Sequence, residues 1–189
     1  MSRTQPIAKT APEGLELATL AGGCFWCLEP AFAELKGVLD VECGYAGSDY
    51  ANANYEAVCT GNTGLAEVIH ILFDPQIISY ETLLQIFFVL HDPTTLNRQG
   101  NDIGTQYRSA IFTHHAAQNL TAQSMKNWVE QAIEQPVTTQ IEAFNPAQYT
   151  RAEDYHQEYF AHNPDNGYCQ MMIPNKLSKL RANFVQLLK

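Results

Sequence analysis

Two cysteines and two large aromatic residues stand together in the segment LAGGCFWCLEP, residues 20–30. Cys24 and Cys27 are three positions apart, and two glycines precede them at the end of an apolar run. This pattern predicts a strand that ends at a glycine turn and a helix that begins near Cys24. The N–H groups and the dipole of a helix N-terminus stabilise a thiolate, the reactive form of cysteine. Cys24 is therefore a candidate nucleophile, and the alternative is a buried cysteine that packs as a small apolar residue.

Phe25 and Trp26 lie between the two thiols, where small or turn residues would be expected if the thiols served only protein disulfides. Two rings would instead build an apolar pocket beside a thiol. Such a pocket suits a methyl group on sulfur, because sulfur–aromatic contacts are favourable. The alternative is that both rings pack in the core, which is the usual position of aromatic side chains. The residues alone leave both interpretations open.

Two acidic and two phenolic residues are further candidates. Glu67 lies near the start of an otherwise apolar strand, and Asp102 lies in the glycine-bounded loop GNDIG. An apolar environment raises the pKa of a carboxyl group and keeps it protonated, as a general acid requires. Without further information, an exposed strand-edge charge or a loop cap is the stronger interpretation for each carboxylate. Tyr55 and Tyr107 likewise resemble packing residues with a hydrated hydroxyl group.

The order of the predicted elements indicates the architecture that must position these residues. Apolar runs bounded by turn residues predict strands at residues 15–22, 37–47, 65–73, 106–113 and 137–144. Helices are predicted from residue 24 to about 36, after a cap at Ser79, and from Thr113. The polar segment 47–64 should be an ordered loop, and the tail should hold a short strand and a helix that begins after Pro174. We therefore predict an α+β fold, a ferredoxin-like split βαβ two-layer sandwich with a mixed sheet and long ordered loops.

Composition limits the domain organisation and the classes of partner. The 189 residues suffice for one core, so we expect a flexible N-terminal arm at 1–14 and a single catalytic domain at 15–189. The formal net charge of −9 argues against nucleic acid and anionic membranes as main partners. The sequence contains neither a long apolar run typical of a membrane span nor the apolar segment of a secretory signal. Five cysteines, an odd number, favour free thiols in a reducing compartment, so we expect a cytoplasmic location.

Six segments together resemble the peptide methionine sulfoxide reductase A family, in the family's order and at comparable spacing. The resemblance extends from about residue 16 to about residue 174, and GCFW together with GNDIGTQYRS is specific. The segments are GGCFWCLEPAF, GYAG, NYEAVCTGNTGLAEVIHILFDP, HDPTTLNRQGNDIGTQYRSAIF, AEDYHQEYFAHNP and GYCQ. The resemblance implies an enzyme, a peptide-methionine (S)-S-oxide reductase that repairs oxidative damage. The domain at 15–189 is then a reductase domain.

The resemblance also implies a role for the residues around the thiol. Cys24 occupies the position of the nucleophile. Phe25 and Trp26 match the rings that hold the methyl group of the substrate. Glu67 matches the glutamate that donates a proton to the sulfoxide oxygen. The implied product is methionine, with a sulfenic acid left on Cys24.

Three loop residues complete the implied site. Tyr55 and Tyr107 match the hydroxyl groups that hold the sulfoxide oxygen, and Asp102 matches an aspartate that contributes to substrate positioning. Hydrogen-bond donors that point at this oxygen would stabilise the charge that develops on it. Leu65 stands in GLAE where the family often has histidine, and it can alter the surroundings of Glu67. No catalytic position is missing.

A second thiol must condense with the sulfenic acid to give a disulfide and water. Cys27 is the nearest thiol in sequence, and Cys169 in GYC stands where many family members carry their first resolving cysteine. The chain has no further cysteine after Cys169, unlike members that carry another one in a glycine-rich tail. Cys27 and Cys169 both remain candidates, and we expect Cys43 and Cys59 to be structural.

The resemblance implies thioredoxin as the partner that restores the reduced enzyme, with dithiothreitol as a chemical substitute. We expect no cofactor and no metal, a monomer, and oxidised proteins or free methionine sulfoxide as substrates. Two other classes of function stay open. The first is a thiol–disulfide oxidoreductase that uses Cys24 and Cys27, and the second is a zinc-binding interaction module, although no second pair of ligands follows the first.

Overall fold

The computed structural model describes residues 5–189 of the chain. This part of the chain forms eight strands, which are β1 (Glu16–Gly22), β2 (Val38–Ala46), β3 (Ala66–Phe73), β4 (Arg98–Gln99), β5 (Asp102–Ile103), β6 (Ser109–Thr113), β7 (Gln140–Ala143) and β8 (Tyr149–Arg151). The same residues form six α-helices, which are α1 (Phe25–Ala33), α2 (Tyr55–Cys59), α3 (Tyr80–Leu90), α4 (Ala116–Ile133), α5 (Tyr159–His162) and α6 (Gly167–Phe184). None of these helices is both long and apolar enough to cross a membrane.

Six of the strands form one sheet in the order β7-β6-β1-β3-β2-β8, and β4 pairs with β5 in a separate hairpin. Neighbouring strands in the sheet are antiparallel, except β6 and β7, which are parallel. The predicted combination of helices with a mixed sheet is therefore confirmed. Because β1 and β3 lie at the centre of the sheet, side chains on them are enclosed by neighbouring strands.

The main hydrophobic core contains side chains of the central strands and of helices α1, α3 and α6. The sequence of β3, AEVIHILF, explains its position, because a strand that is apolar along nearly its whole length is suited to burial on both faces. Phe32, Phe73 and Phe87 are fully buried. Burial of one such side chain stabilises the fold by about 1.5–3 kcal/mol. The core thus holds rigidly the strand and helix ends that carry the candidate residues.

The starts of α3 and α4 can be compared with the starts that the local sequence predicts. Ser79 caps α3 as predicted, since its Oγ accepts the Thr82 N–H at 3.1 Å. The prediction that α4 opens at Thr113 is wrong. Thr113 is still paired with Ala143 in the sheet, and His115 is the N-cap. Strand pairing therefore delays the start of α4.

The C-terminal tail differs most from the prediction. α6 runs from Gly167 to Phe184 without a break, so the predicted short strand and the helix start after Pro174 are both wrong. Asn166 caps the helix, because its Oδ1 accepts the N–H groups of Tyr168 and Cys169. Pro174 removes one intrahelical hydrogen bond. That cost is offset by the row of apolar side chains that α6 buries against α1 and α3.

Part of the predicted N-terminal arm contacts the sheet. The Ile7 N–H donates to Glu42 Oε2 at 2.9 Å, and the Ile7 side chain is buried. Lys9 Nζ donates to the carbonyl oxygen of Tyr149 at 2.9 Å. Residues 1–4 of the arm lie outside the described residues. The flexibility of the arm stays a prediction.

The contact between Gly44 and Tyr149 attaches the edge strand β8 to β2 and can be tested. A Cβ atom at Gly44 would lie 2.5 Å from the Tyr149 ring, whereas one at Gly167 would meet nothing within 4 Å. We expect Gly44→Ala to lower the free energy of unfolding by about 1–3 kcal/mol. Gly167→Ala, the matched control in the first turn of α6, should not lower it. Urea denaturation followed by circular dichroism measures both, and equal midpoints would contradict this packing.

Candidate active site

Gly22 and Gly23 form the turn between β1 and α1, as the sequence predicts. Gly23 has a φ of +91°, which favours glycine, and a Cβ atom there would lie 2.6 Å from the Gln99 side chain. This turn allows α1 to begin at Phe25 and makes Cys24 its N-cap residue. The candidate nucleophile therefore lies at a helix N-terminus.

The two thiols of the motif face the same turn of α1. Cys24 is the N-cap and Cys27 is the third helical residue, and the Cys27 N–H donates to the Cys24 carbonyl oxygen at 3.0 Å. Side chains at these two positions lie together at a helix start, as they do in a capping box. The side chain of Cys24 is 9% exposed and that of Cys27 is 2% exposed. The Cys24 thiol hydrogen-bonds Cys27, so the pair forms one buried unit.

The two thiols differ in acidity. Burial foremost, with smaller contributions from Cys27 and Glu67, raises the pKa of Cys24 well above its ordinary value. The hydrogen bond from the Cys24 thiol, helped by the Lys176 ammonium, outweighs burial and lowers the pKa of Cys27. The helix N-terminus is thus where the sequence predicts it, but desolvation overrides its effect on Cys24.

Glu67 is a buried acid at the N-terminus of α1. It lies in the central strand β3, opposite Tyr45 of β2, and is 2% exposed. Its Oε2 atom accepts the Phe25 N–H at 3.0 Å. Burial raises the pKa of Glu67 to about 8, although the Phe25 N–H opposes this change. Glu67 is therefore protonated at neutral pH beside the Cys24 thiol, and it is not an exposed strand-edge charge.

The two rings of the motif belong to an aromatic cluster. Trp26 stacks on Tyr159 with 3.8 Å between ring centroids and 9° between ring planes. The indole Nε1–H donates to His156 Nδ1 at 3.1 Å. Phe25 is fully buried, and its ring centroid lies 5.8 Å from that of Tyr45 and 5.0 Å from that of His156. Both rings are thus held firmly by the fold, as a wall of a binding pocket requires.

Glu153 organises the surroundings of these rings. Its Oε1 accepts the Tyr55 N–H at 2.7 Å, and its Oε2 accepts the Tyr45 hydroxyl at 2.9 Å. The same Oε2 lies 3.6 Å from His156 Nε2. Burial lowers the pKa of His156 to about 4, so the ring is neutral, and its Nδ1 accepts from Trp26. The ring proton is therefore assigned to Nε2, on the Glu153 side.

Three hydroxyl groups and a second carboxylate complete the site. Tyr55 begins α2, Tyr107 ends a 3-10 turn at Thr105–Tyr107, and Tyr168 lies in the first turn of α6. Burial foremost raises the pKa of each of these phenols, so each keeps its proton and can donate a hydrogen bond. Asp102 Oδ2 accepts the Tyr168 hydroxyl at 2.6 Å. Asp102 is therefore bonded across the site to α6 and does not cap its own loop.

A pocket of about 140 Å³ brings these groups together. Its lining residues are Cys24, Phe25, Trp26, Tyr55, Glu67, Asp102, Tyr107 and Tyr168. All residues that the resemblance assigns to catalysis or substrate binding are among them. A molecule of liquid water occupies about 30 Å³, so the pocket has room for the end of one side chain. A larger groove of about 1100 Å³ between α3 and α4 contains none of these residues.

Sequence reasoning missed four residues that shape the site. Tyr168 precedes a candidate cysteine in GYC, and this proximity could have identified it. His156 and Glu153 lie in AEDYHQEYF, a segment used for the resemblance without a role for either side chain. Lys176 had no usable signal, because the predicted helix break at Pro174 separated it from Cys169. Only the continuous helix α6 brings it to the thiols.

The remaining cysteines occupy different environments. Cys169 lies in the first turn of α6 and Cys43 lies in β2, and both are fully buried. Cys59 ends α2 and is exposed. No group of three or more His, Cys, Asp or Glu side chains within residues 5–189 is arranged to hold a metal ion.

Comparison with known proteins identifies the family. The family model for peptide methionine sulfoxide reductase matches residues 16–187. The peptide methionine sulfoxide reductase MsrA of Polynucleobacter asymbioticus is 52% identical over 176 residues, which cover 92% of each chain. The chain belongs to the peptide methionine sulfoxide reductase family.

Solved structures agree with this assignment. The reduced form of Mxr1 from Saccharomyces cerevisiae matches with a TM-score of 0.80 and 34% identity, over 87% of this chain and 94% of that chain. Mxr1 in complex with Trx2 matches with a TM-score of 0.58 and 26% identity, over 80% of this chain and 89% of that chain. The fold that positions the pocket is therefore shared with Mxr1.

The burial of the cysteines predicts an order of chemical modification. We expect iodoacetamide to modify Cys59 in the folded protein. Cys43 and Cys169 should react only after unfolding, because their side chains have no exposed surface. Peptide mass spectrometry after timed alkylation, with and without guanidinium chloride, measures this order. Modification of Cys169 in the folded protein as rapidly as Cys59 would contradict the described position of α6.

Proposed function

We propose that this chain reduces methionine-S-sulfoxide, free or in proteins, to methionine and is recycled by thioredoxin. The observation that carries the proposal is a protonated, buried Glu67 beside the Cys24 thiol in a pocket with aromatic walls. Membership of the family supports the same reaction. The enzyme class is peptide-methionine (S)-S-oxide reductase, and its role is the repair of oxidative damage.

In the first step Cys24 attacks the sulfoxide sulfur. The sulfur is a poor electrophile until its oxygen is protonated, so Glu67 delivers a proton to that oxygen as the sulfur–sulfur bond forms. The phenolic hydroxyls of Tyr55 and Tyr107 line the same pocket and donate to the oxygen as charge develops on it. The hydroxyl group then moves from the substrate sulfur to the Cys24 sulfur as the substrate sulfur–oxygen bond and the new sulfur–sulfur bond break, and the proton of the Cys24 thiol returns to Glu67. Methionine leaves, and Cys24 carries a sulfenic acid.

The rings determine which part of the substrate enters. Phe25 and Trp26 receive the methyl group, because sulfur and its methyl substituent make favourable contacts with aromatic faces. Asp102 positions the substrate through the hydroxyl of Tyr168, to which it is hydrogen-bonded. Methyl and oxygen then occupy fixed sides of the pocket, so only one sulfoxide epimer presents its sulfur to Cys24.

The sulfenic acid is cleared by a second thiol, for which Cys27 and Cys169 are the candidates. The resulting disulfide is reduced by thioredoxin. In vitro, dithiothreitol can take the place of thioredoxin as the reductant. The complex of yeast Mxr1 with Trx2 supports a thioredoxin partner. The reaction needs no cofactor and no metal, because both electrons come from cysteine thiols.

The organisation of the chain supports this function in outline. We infer a single reductase domain at 15–189 that acts as a monomer in the cytoplasm. We also infer a ferredoxin-like split βαβ unit for the central four strands. The order β6-β1-β3-β2 with α1 and α3 as the two crossovers supports this description.

A thiol–disulfide oxidoreductase is the second candidate, because Cys24 and Cys27 occupy the N-cap and third position of a helix. That activity would not need Glu67 or the pocket. Turnover of insulin disulfides by both the wild type and Glu67→Gln would favour it. Equal loss of sulfoxide reduction and insulin reduction in Cys24→Ser alone would not separate the two functions.

Replacement of Glu67 tests the acid. We expect Glu67→Gln to lower kcat/KM for methionine sulfoxide with dithiothreitol by at least about 10²-fold, because the proton is lost and the shape is kept. The wild-type value should fall as pH rises through about 8, where Glu67 loses its proton. Initial rates between pH 6 and pH 10 measure both, and full activity in Glu67→Gln would contradict the role.

The same pKa predicts an effect on stability. The pKa of Glu67 is about 8 in the folded state and about 4.3 when unfolded. The folded state therefore keeps the Glu67 proton up to a higher pH than the unfolded state does. As a result, the free energy of unfolding falls as pH rises from about 4.3 to about 8. Glu67→Gln has no carboxyl group to ionise at this position, so its Tm at pH 9 should be higher than that of the wild type. A lower Tm for Glu67→Gln at pH 9 would contradict the buried, protonated carboxyl.

Epimer selectivity tests the pocket. With racemic methionine sulfoxide and excess dithiothreitol, we expect consumption to stop when about half is reduced, since each reductase class serves one epimer. Chiral chromatography should find the R epimer intact. Cys24→Ser should consume neither epimer. Equal consumption of both epimers by the wild type would overturn the predicted selectivity.

A further inference from the structure

The turn between β1 and α1 is covered on one side by the side chain of Gln99. A Cβ atom at Gly23 would lie 2.6 Å from Cγ of Gln99 and 2.8 Å from its Cβ. The aliphatic part of Gln99 therefore fills the space that a side chain at position 23 would need. Gly23 directly precedes Cys24, and its φ of +91° lies in a region that glycine adopts readily. Gln99 thus packs against the flexible residue that sets the direction of the thiol.

Two hydrogen bonds to the backbone of one residue hold the Gln99 side chain in this place. Its Oε1 accepts the Asp92 N–H at 2.9 Å, and its Nε2 donates to the Asp92 carbonyl oxygen at 2.9 Å. Because an N–H needs the amide oxygen and a carbonyl needs the amide nitrogen, these two bonds fix the orientation of the amide. Gln99 therefore connects the backbone at Asp92 with the turn at Gly23.

The backbone on both sides of Asp92 is fixed to the sheet. The Nδ1–H of His91 donates to a carbonyl oxygen of α3 at 2.6 Å, so Nε2 of the same ring accepts the Ser109 hydroxyl at 2.7 Å. Ser109 lies in β6, which pairs with β1. The carbonyl oxygen of Pro93 accepts the N–H of Thr138 at 2.8 Å. Asp92 is thus a firm support for the Gln99 amide.

Gln99 also belongs to the hairpin that carries Asp102. Gln99 of β4 is paired with Asp102 of β5. Asp102 Oδ2 accepts the Tyr168 hydroxyl at 2.6 Å, which attaches this strand of the hairpin to α6. The other strand packs against the turn before Cys24 through Gln99. The hairpin therefore ties the position of the nucleophile to that of a carboxylate on the same pocket.

We propose that Gln99 is a positioning residue for Cys24, which keeps the thiol directed into the pocket by holding Gly23 in place. This proposal rests on the function proposed above and concerns its first step, the attack on the sulfoxide sulfur. Gln99 does not line the pocket, so its effect reaches the reaction through the turn. A reacting atom must lie within about 3–3.5 Å of its target, and a misplacement of about 1 Å can cost about 10²-fold in rate.

The rings proposed to bind the substrate are held by other contacts. Trp26 stacks on Tyr159 and donates to His156, and Phe25 packs against His156 and Tyr45. None of these contacts includes Gln99. Replacement of Gln99 should therefore lower the rate of attack and leave substrate binding nearly unchanged.

Single-turnover kinetics test this separation of rate from binding. Reduced enzyme is mixed with methionine-S-sulfoxide over a range of concentrations, and methionine formation gives a maximal rate and a half-saturating concentration. We expect Gln99→Met, which keeps the chain length but loses both hydrogen bonds, to lower the maximal rate by about tenfold. The half-saturating concentration should stay within about twofold of the wild-type value. Gln99→Ala, which also removes the aliphatic part, should lower the rate further.

Gln148→Ala is the matched control for these variants. Gln148 is half-buried and its amide donates to Asp49 at 2.8 Å, but it does not line the pocket. Its kinetic values should equal those of the wild type. A wild-type maximal rate in Gln99→Met, or a loss that appears only as a higher half-saturating concentration, would overturn the proposal.

Alkylation tests the position of the thiol without any substrate. Cys24 is 9% exposed, and a loosened turn should expose it further. We expect iodoacetamide to modify Cys24 at least about threefold faster in Gln99→Met than in the wild type, as measured by peptide mass spectrometry. Cys43 and Cys169 should stay protected, which distinguishes a local change from unfolding. An unchanged rate at Cys24, or equally faster modification of all three cysteines, would overturn the proposal.

Failure of this proposal and failure of the proposed function give different results. Absence of methionine in the single turnover of the wild type would reject the reductase itself, whereas alkylation would still report the effect of Gln99 on Cys24. Methionine formed at the same rate by the wild type and by both Gln99 variants would keep the reductase and reject only the role of Gln99.

Discussion

The structure of the site depends on one buried hydrogen bond, from the Phe25 N–H to the Glu67 carboxyl group. A carboxyl group enclosed in the centre of a sheet pays a large desolvation penalty if it ionises, and one backbone donor is not enough to offset it. Glu67 therefore keeps its proton near neutral pH. The same bond joins the acid to the first residue of α1, so the acid and the Cys24 thiol are held together by the backbone.

This bond imposes requirements on the surrounding elements. β3 must lie between β1 and β2, because only a central strand encloses Glu67 on both sides. β1 must end in the Gly22–Gly23 turn so that α1 starts directly over β3. A buried carboxyl group does not itself stabilise the fold. The stability comes instead from the paired strands and from the large buried rings of the core. The candidate acid is thus accommodated in the central, fully enclosed part of the sheet.

The two sides of the pocket are assembled from segments that are distant in sequence. Glu153 receives the Tyr55 N–H and the Tyr45 hydroxyl, and it faces His156, which in turn accepts from Trp26. On the other side, Tyr168 joins Asp102 to the neighbourhood of Cys27. The first arrangement orients the rings that line the pocket. The second places the Tyr168 hydroxyl group beside the Cys27 thiol, which does not line the pocket.

The sequence by itself determined the elements and residues whose signals are local. The glycine turn, the apolar run of β3, the Ser79 cap and the pair of thiols each depend on a few adjacent residues, and the structure has them at the predicted places. The resemblance added the identities of the pocket residues, from Cys24 to Tyr107, because they lie within short motifs.

Only the tertiary structure decided the acidity of the groups and the roles of α6. Burial, which a local pattern does not measure, raises the pKa values of Glu67 and Cys24 and reverses the effect expected of the helix dipole. Pro174 predicts a break in α6, but side-chain burial against α1 and α3 outweighs one lost hydrogen bond. The continuous helix then fixes Cys169 in the core and brings the Tyr168 hydroxyl group to Cys27. These contacts join residues more than a hundred positions apart, so no local sequence signal contains them.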